Sequence, residues 1–173
     1  NFLAADYRGY GRSTGHPTVT SMVQDSHAIF QFVTDWLAQN GFNGPLILMG
    51  RSLGSASAIE LAAAHADRVC GLIVESGFAF AGPLLELLGV DAAAVGFREE
   101  TAFCHLQKMA RFQRPLLVIH AEFDHIIPFS DGQALFDASA SPDKSLLKIP
   151  GANHNDILAH GFGDYLAAIE RLA

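Results

Sequence analysis

The chain has 173 residues, half of them apolar, which is material for one domain with a buried core and not for two of ordinary size. Its formal net charge is −7 with no cluster of Lys and Arg, which argues against binding to a phosphate backbone, and so against a nucleic-acid partner. No apolar run is as long as a membrane span.

The first residues, NFLAADYRGYG, are strand-like without a lead-in and read as the interior of a longer protein, so an upstream part is expected. Residues 2–5 are the first of five short apolar runs with the character of buried parallel strands. Residues 19–39 follow with apolar side chains at helical spacing (Val23, Ile29, Phe30, Val33, Trp36, Leu37), ending at Asn40-Gly41, a helix-stop signal. The second run is 45–49. Residues 52–65 are rich in Ala and other small residues, as suits a helix lying close on a sheet. The third run, 69–74, contains Cys70, expected to be buried. Cys104 is the other cysteine, and two such thiols suggest no disulfide framework and a reducing, cytoplasmic location. Residues 76–114 are too long for a plain crossover and hold the helix-like stretches PLLELLGV and TAFCHLQKMARF, which predict a small helical insertion. Runs at 115–121 and 145–149 complete the set, with helix candidates at 131–138 and 162–172. Strand alternating with helix predicts one α/β domain over residues 1–173, built on a parallel sheet.

In an open α/β sheet, ligands bind beyond the carboxyl ends of the strands. The stretches in that position are DYRGYGRSTG, GRSLG, ESGF, EFDHIIP and PGANHND. GRSLG is a Gly-x-Ser-x-Gly turn between a strand and a helix. Such a turn holds Ser52 in a strained backbone position with its oxygen pushed out, and the flanking glycines let strand and helix approach without side-chain clash. The helix that follows aims its N-terminal N–H groups at developing negative charge, with the Leu53 amide as one oxyanion donor.

DYRGYGRSTG, GRSLG, HAEFDHIIP and PGANHND, in this order and spacing, resemble the α/β-hydrolase fold family across essentially the whole chain. The closest likeness is to single-domain serine hydrolases of the esterase, thioesterase and peptidase-like branch. The resemblance implies a parallel sheet flanked by helices, N-terminally incomplete, with residues 76–114 as a helical lid. It also implies a Ser-His-Asp triad in the chain order Ser, acid, His. Ser52, Asp124 and His154 stand in that order. A serine hydroxyl needs a base to take its proton and a carboxylate to orient that base. Asp124 matches the family's acid loop. Glu122 on the same loop and Glu75 after the preceding strand are rivals, with Glu75 the runner-up because a minority of the family places its acid there. His120 lies within a strand run and reads as a core histidine, and His125 as a residue lining the site. His16, His27, His65, His105 and His160 have no partner pattern. No His-x-x-x-His or Cys-x-x-Cys spacing points to a metal, and neither metal nor cofactor is expected. Asp6, Arg8, Gly9, Gly11 and Gly15 resemble the family loop that buttresses the serine turn.

The resemblance further implies a second oxyanion donor, from a His-Gly-rich loop after a strand not found in this sequence. In the family's order that strand lies between residues 2–5 and 45–49, so a vacant place would leave a gap of about 10 Å. Upstream sequence or another chain would supply the strand, or residues 2–5 would slide across to pair directly with 45–49. Upstream sequence is the preferred reading. The 173-residue chain alone is then expected to turn over about 100- to 1,000-fold more slowly for want of one donor. The expected reaction is hydrolysis of a small or lipid-like ester or thioester, motivated by the apolar lid candidates Leu84, Leu85, Leu87, Leu88 and Phe103. An amide or peptide hydrolase, or a non-catalytic binding module, are the alternatives, with a nucleotide-binding domain weaker because the glycine spacing is wrong.

Overall fold

A computed structural model describes residues 1–87, 89–99 and 102–173. It divides into two compact units, Asn1–Gly44 and Pro45–Ala173.

The first unit holds a loop and one long helix, α1 (Val19–Gln39). Thr18 and Ser21 start the helix as a reciprocal capping box: the Ser21 N–H donates to Thr18 Oγ1 at 3.0 Å, and the Thr18 N–H to Ser21 Oγ at 2.9 Å. Gly41 stops it in the left-handed region (φ 76), with the Phe42 N–H on the Leu37 carbonyl at 2.9 Å and the Phe42 ring stacked on Trp36. In the preceding loop Arg8 grips Asp25 with two bonds of 2.7 and 2.6 Å, and Asp6 accepts from the Arg12 N–H at 3.2 Å. The strand expected at residues 2–5 does not form; Phe2 and Leu3 are exposed and no ladder includes them among the described residues. A short apolar run becomes a strand only when a neighbouring backbone takes up its N–H and C=O groups.

The second unit is a four-stranded sheet in the order β1 (Ile47–Arg51), β2 (Gly71–Glu75), β3 (Leu116–Ala121), β4 (Lys144–Ile149). All three pairings are parallel. Among the described residues β1 pairs with β2 alone, so the sliding of residues 2–5 onto this strand is not seen. Every residue of β2 and β3 is buried, as expected of strands covered on both faces. On one face α6 (Ile157–Leu172) packs Ile157, Tyr165 and Ala168 against Ile73, Leu117, Ile119 and Ile149. The other face carries Leu72, Val74, Leu116 and Val118, also buried, with α2 (Gly54–Ala64) between β1 and β2 in the chain and α5 (Phe129–Ala138) between β3 and β4. Within residues 76–114 the described residues include the short helices α3 (Ala81–Leu87) and α4 (His105–Met109). Leu88 lies outside the described residues.

Cys70 is exposed, not buried: it precedes β2, and its neighbours Val69 and Gly71 take the buried places on either side of it. Neither cysteine is in a disulfide. Among the described residues no helix is long and apolar enough to cross a membrane.

Candidate functional site

β1 ends at Arg51, and the chain turns at Ser52 with φ 51, a left-handed conformation rare for a residue with a side chain. The Ser52 N–H is held by the Glu75 carbonyl at the end of β2, at 2.9 Å. α2 begins two residues later, so Ser52 sits at the tip of a tight strand-to-helix turn. Gly50 makes the turn possible. A Cβ there would lie 2.5 Å from the Gly54 carbonyl oxygen and 2.7 Å from the Ala58 Cβ. Gly54 differs from the expectation: a Cβ on it would meet nothing within 4 Å, so close approach requires only the first glycine. Leu53 follows Ser52 with helical dihedrals, and its amide makes no backbone hydrogen bond among the described residues.

The loops after β3 and β4 are laced together. Glu122 N–H donates to the Ile149 carbonyl at 3.1 Å and Phe123 N–H to that of Ala152 at 2.9 Å. This lacing brings Asp124 beside His154. Asp124 Oδ2 lies 2.7 Å and Oδ1 2.9 Å from His154 Nδ1, and Oδ1 also accepts the N–H groups of Ile126 at 3.0 Å and Ile127 at 2.9 Å. Burial raises the Asp124 pKa, but the His154 bond and then the two backbone donors outweigh it and push the value down to about 2. An ionised carboxylate only accepts, so Nδ1 carries the imidazole proton and Nε2 presents a lone pair. That Nε2 lies 3.0 Å from Ser52 Oγ. His154 is 4% exposed. The three residues singled out from the sequence, Ser52, Asp124 and His154, thus come together through side-chain contacts.

The rival acids are engaged elsewhere. Glu122 accepts from the Gly151 N–H at 3.0 Å and from Lys148 Nζ at 3.3 Å. Glu75 accepts from Arg51 Nε at 2.9 Å and from the Tyr165 hydroxyl at 2.7 Å. His120 is buried in β3, with Nε2 2.8 Å from the Ile127 carbonyl and 3.6 Å from Asp124 Oδ2. Burial lowers its pKa, so the neutral ring donates from Nε2 to the Ile127 carbonyl and steadies the loop that carries Asp124. His125 is exposed. Among the described residues no group of three or more His, Cys, Asp or Glu is arranged to hold a metal ion. Sequence reading left out Arg51 and Tyr165, because no local pattern joins an arginine inside a turn motif to a tyrosine of the last helix.

A family model described as serine aminopeptidase, S33, matches residues 1–95, more than half of the chain. The Caenorhabditis elegans alpha/beta hydrolase domain-containing protein aho-3 is 32% identical over 99% of this chain and 47% of its own length. The human alpha/beta hydrolase domain-containing protein 17B is 30% identical over 99% of this chain and 55% of its own length. This chain belongs to the α/β-hydrolase family. It spans about half the length of the curated α/β hydrolases it matches. Its fold is that of an esterase from Pyrococcus furiosus, with a TM-score of 0.72 at 16% identity over 96% of this chain and 67% of that one. It is also similar to a Paleococcus ferrophilus monoacylglycerol lipase, with a TM-score of 0.64 at 18% identity over 92% of this α/β hydrolase and 76% of the lipase.

Proposed function

We propose that this α/β hydrolase cleaves a carboxylic ester or thioester through an acyl-enzyme on Ser52. Ser52 Oγ attacks the carbonyl carbon as its proton passes to His154 Nε2. Asp124 holds the resulting imidazolium through Nδ1, and the Leu53 N–H receives the carbonyl oxygen as it gains negative charge. The carbon–oxygen or carbon–sulfur bond then breaks, and the leaving alcohol or thiol takes the proton from Nε2. Water repeats the sequence on the acyl-enzyme, returning Ser52 and releasing the acid. The observation that carries this reading is the continuous relay: 2.7 Å from Asp124 to Nδ1 and 3.0 Å from Nε2 to Ser52 Oγ.

An apolar acyl group suits the side chains next to the reacting residues in sequence, since Leu53 and Phe123 are both exposed. We propose that residues 76–114 serve as the lid, with Leu84, Leu85 and Leu87 offering apolar surface to an acyl chain; Phe103 packs on Phe78 and His105. The two cysteines, neither in a disulfide, fit a reducing compartment such as the cytoplasm. A second reading, an amide or peptide hydrolase, is favoured by the serine aminopeptidase description of the matching family model.

The test is turnover of p-nitrophenyl butyrate, a short acyl thioester and an aminoacyl p-nitroanilide by the protein and by Ser52→Ala. Ester or thioester turnover that falls about 10⁴-fold or more in Ser52→Ala is expected. Preference for the anilide would move the substrate to amides. Turnover unaffected by Ser52→Ala, or no reaction of Ser52 with a fluorophosphonate, would remove the enzyme reading and leave a binding module.

A further inference from the structure

Ser52 and His154 are carried by opposite edges of the sheet. Ser52 follows β1, and the His154 loop follows β4, three strand spacings or about 14 Å away. The 3.0 Å contact between them therefore needs something to draw the histidine loop back across the strand ends. Asp124 holds the imidazole from the β3 side through Nδ1.

From the β1 side the holder is Arg51. Its Nη2 donates to the main-chain carbonyl of His154 at 2.6 Å, while its Nε donates to Glu75 Oε1 at 2.9 Å. Arg51 and Glu75 are register partners at the ends of β1 and β2, so the pair is set by the ladder itself. The other Glu75 oxygen accepts from the Tyr165 hydroxyl of α6 at 2.7 Å. Burial and then the Glu75 bond keep Tyr165 protonated and donating. Glu75, 5% exposed, is thus occupied on both oxygens, and it aims the arginine fork at the histidine loop.

We propose that Arg51, aimed by Glu75 and Tyr165, is a positioning residue that ties the His154 loop to the strand end carrying Ser52. None of these bonds ends on a reacting atom; the tie acts on the main chain of the residue whose ring moves the proton. Its kinetic consequence rests on the hydrolase reading above, but the tether itself does not.

Two measurements on Arg51→Gln test it, with circular dichroism to establish folding. Amide hydrogen exchange of residues 151–156 is expected to speed up about tenfold while β2 and β3 stay at the native level. On the preferred ester, kcat is expected to fall about 10- to 100-fold with KM changed less than about twofold, because the reacting groups are misaligned rather than the substrate released. Arg51→Lys, which keeps the charge but not the planar fork, stays impaired in both, and Tyr165→Phe shows a smaller loss in both. Native exchange of the loop in Arg51→Gln overturns the proposal, whatever the turnover. Turnover that does not depend on Ser52 defeats the hydrolase reading instead, and the exchange measurement still decides the tether.

Discussion

Burial opposes the charge on Asp124, and three hydrogen-bond donors more than restore it. Folded Asp124 therefore holds a proton less tightly than an ordinary aspartate, which titrates near 3.8. Protonation then favours the unfolded chain. The stabilisation is whole above about pH 4, declines as pH falls, and is lost below about pH 2. Denaturation midpoints measured against pH should show this acid limb in the native protein and a flatter one in Asp124→Asn. The same substitution should lower kcat on the order of 10⁴-fold, because an amide does not hold the imidazole in the proton-accepting tautomer. Ser52 stood out because a serine at a tight strand-to-helix turn has a mechanical reason, whereas Asp124 and His154 were singled out by the family resemblance and the order Ser, acid, His that it implies. Glu75 was legible only as a competitor for the same job. Its engagement by Arg51 and Tyr165 depends on strand register and on a helix 90 residues away, neither of which leaves a mark in the local sequence.

Among the elements, the strand-to-helix turn separates two glycines that look alike in the motif. Gly50→Ala places a methyl 2.5 Å from a backbone oxygen and should destabilise the protein by about 1–3 kcal/mol. Gly54→Ala enters open space at the start of α2 and should be neutral or stabilise by up to about 1 kcal/mol. Urea denaturation of the two variants checks both signs. The four strands of the sheet were legible as apolar runs, with their ends displaced. β1 runs on through Gly50 and Arg51, residues that read as turn, because Val74 and Glu75 remain opposite them to complete the ladder. α6 begins five residues ahead of the 162–172 expected, because a short helical segment precedes it, joined across a kink at Gly161 (φ −137), and the expected stretch is the part after the kink. Residues 2–5 have the composition of a strand and, among the described residues, none of its pairing, because composition says nothing of which backbone lies alongside.

Across the whole molecule, stability is concentrated in the doubly covered middle of the sheet. Leu117 has no exposed surface and lies among Ile73, Ile149 and Tyr165 in the α6-facing core. Leu117→Ala should cost about 2–5 kcal/mol, read as a lowered denaturation midpoint with unchanged slope. The α/β class and the parallel sheet followed from alternation of elements alone. Ser52 and His154 are 102 positions apart along the polypeptide, with β2, β3 and β4 threaded between them. Joining ends so distant is a late and entropically expensive closure. During refolding from urea, backbone ellipticity should therefore recover first, and capture of Ser52 by a phosphonylating reagent should lag behind it. The contact between Ser52 and His154 belongs to the finished topology, and a fragment that stops short of the loop after β4 lacks one of its two partners.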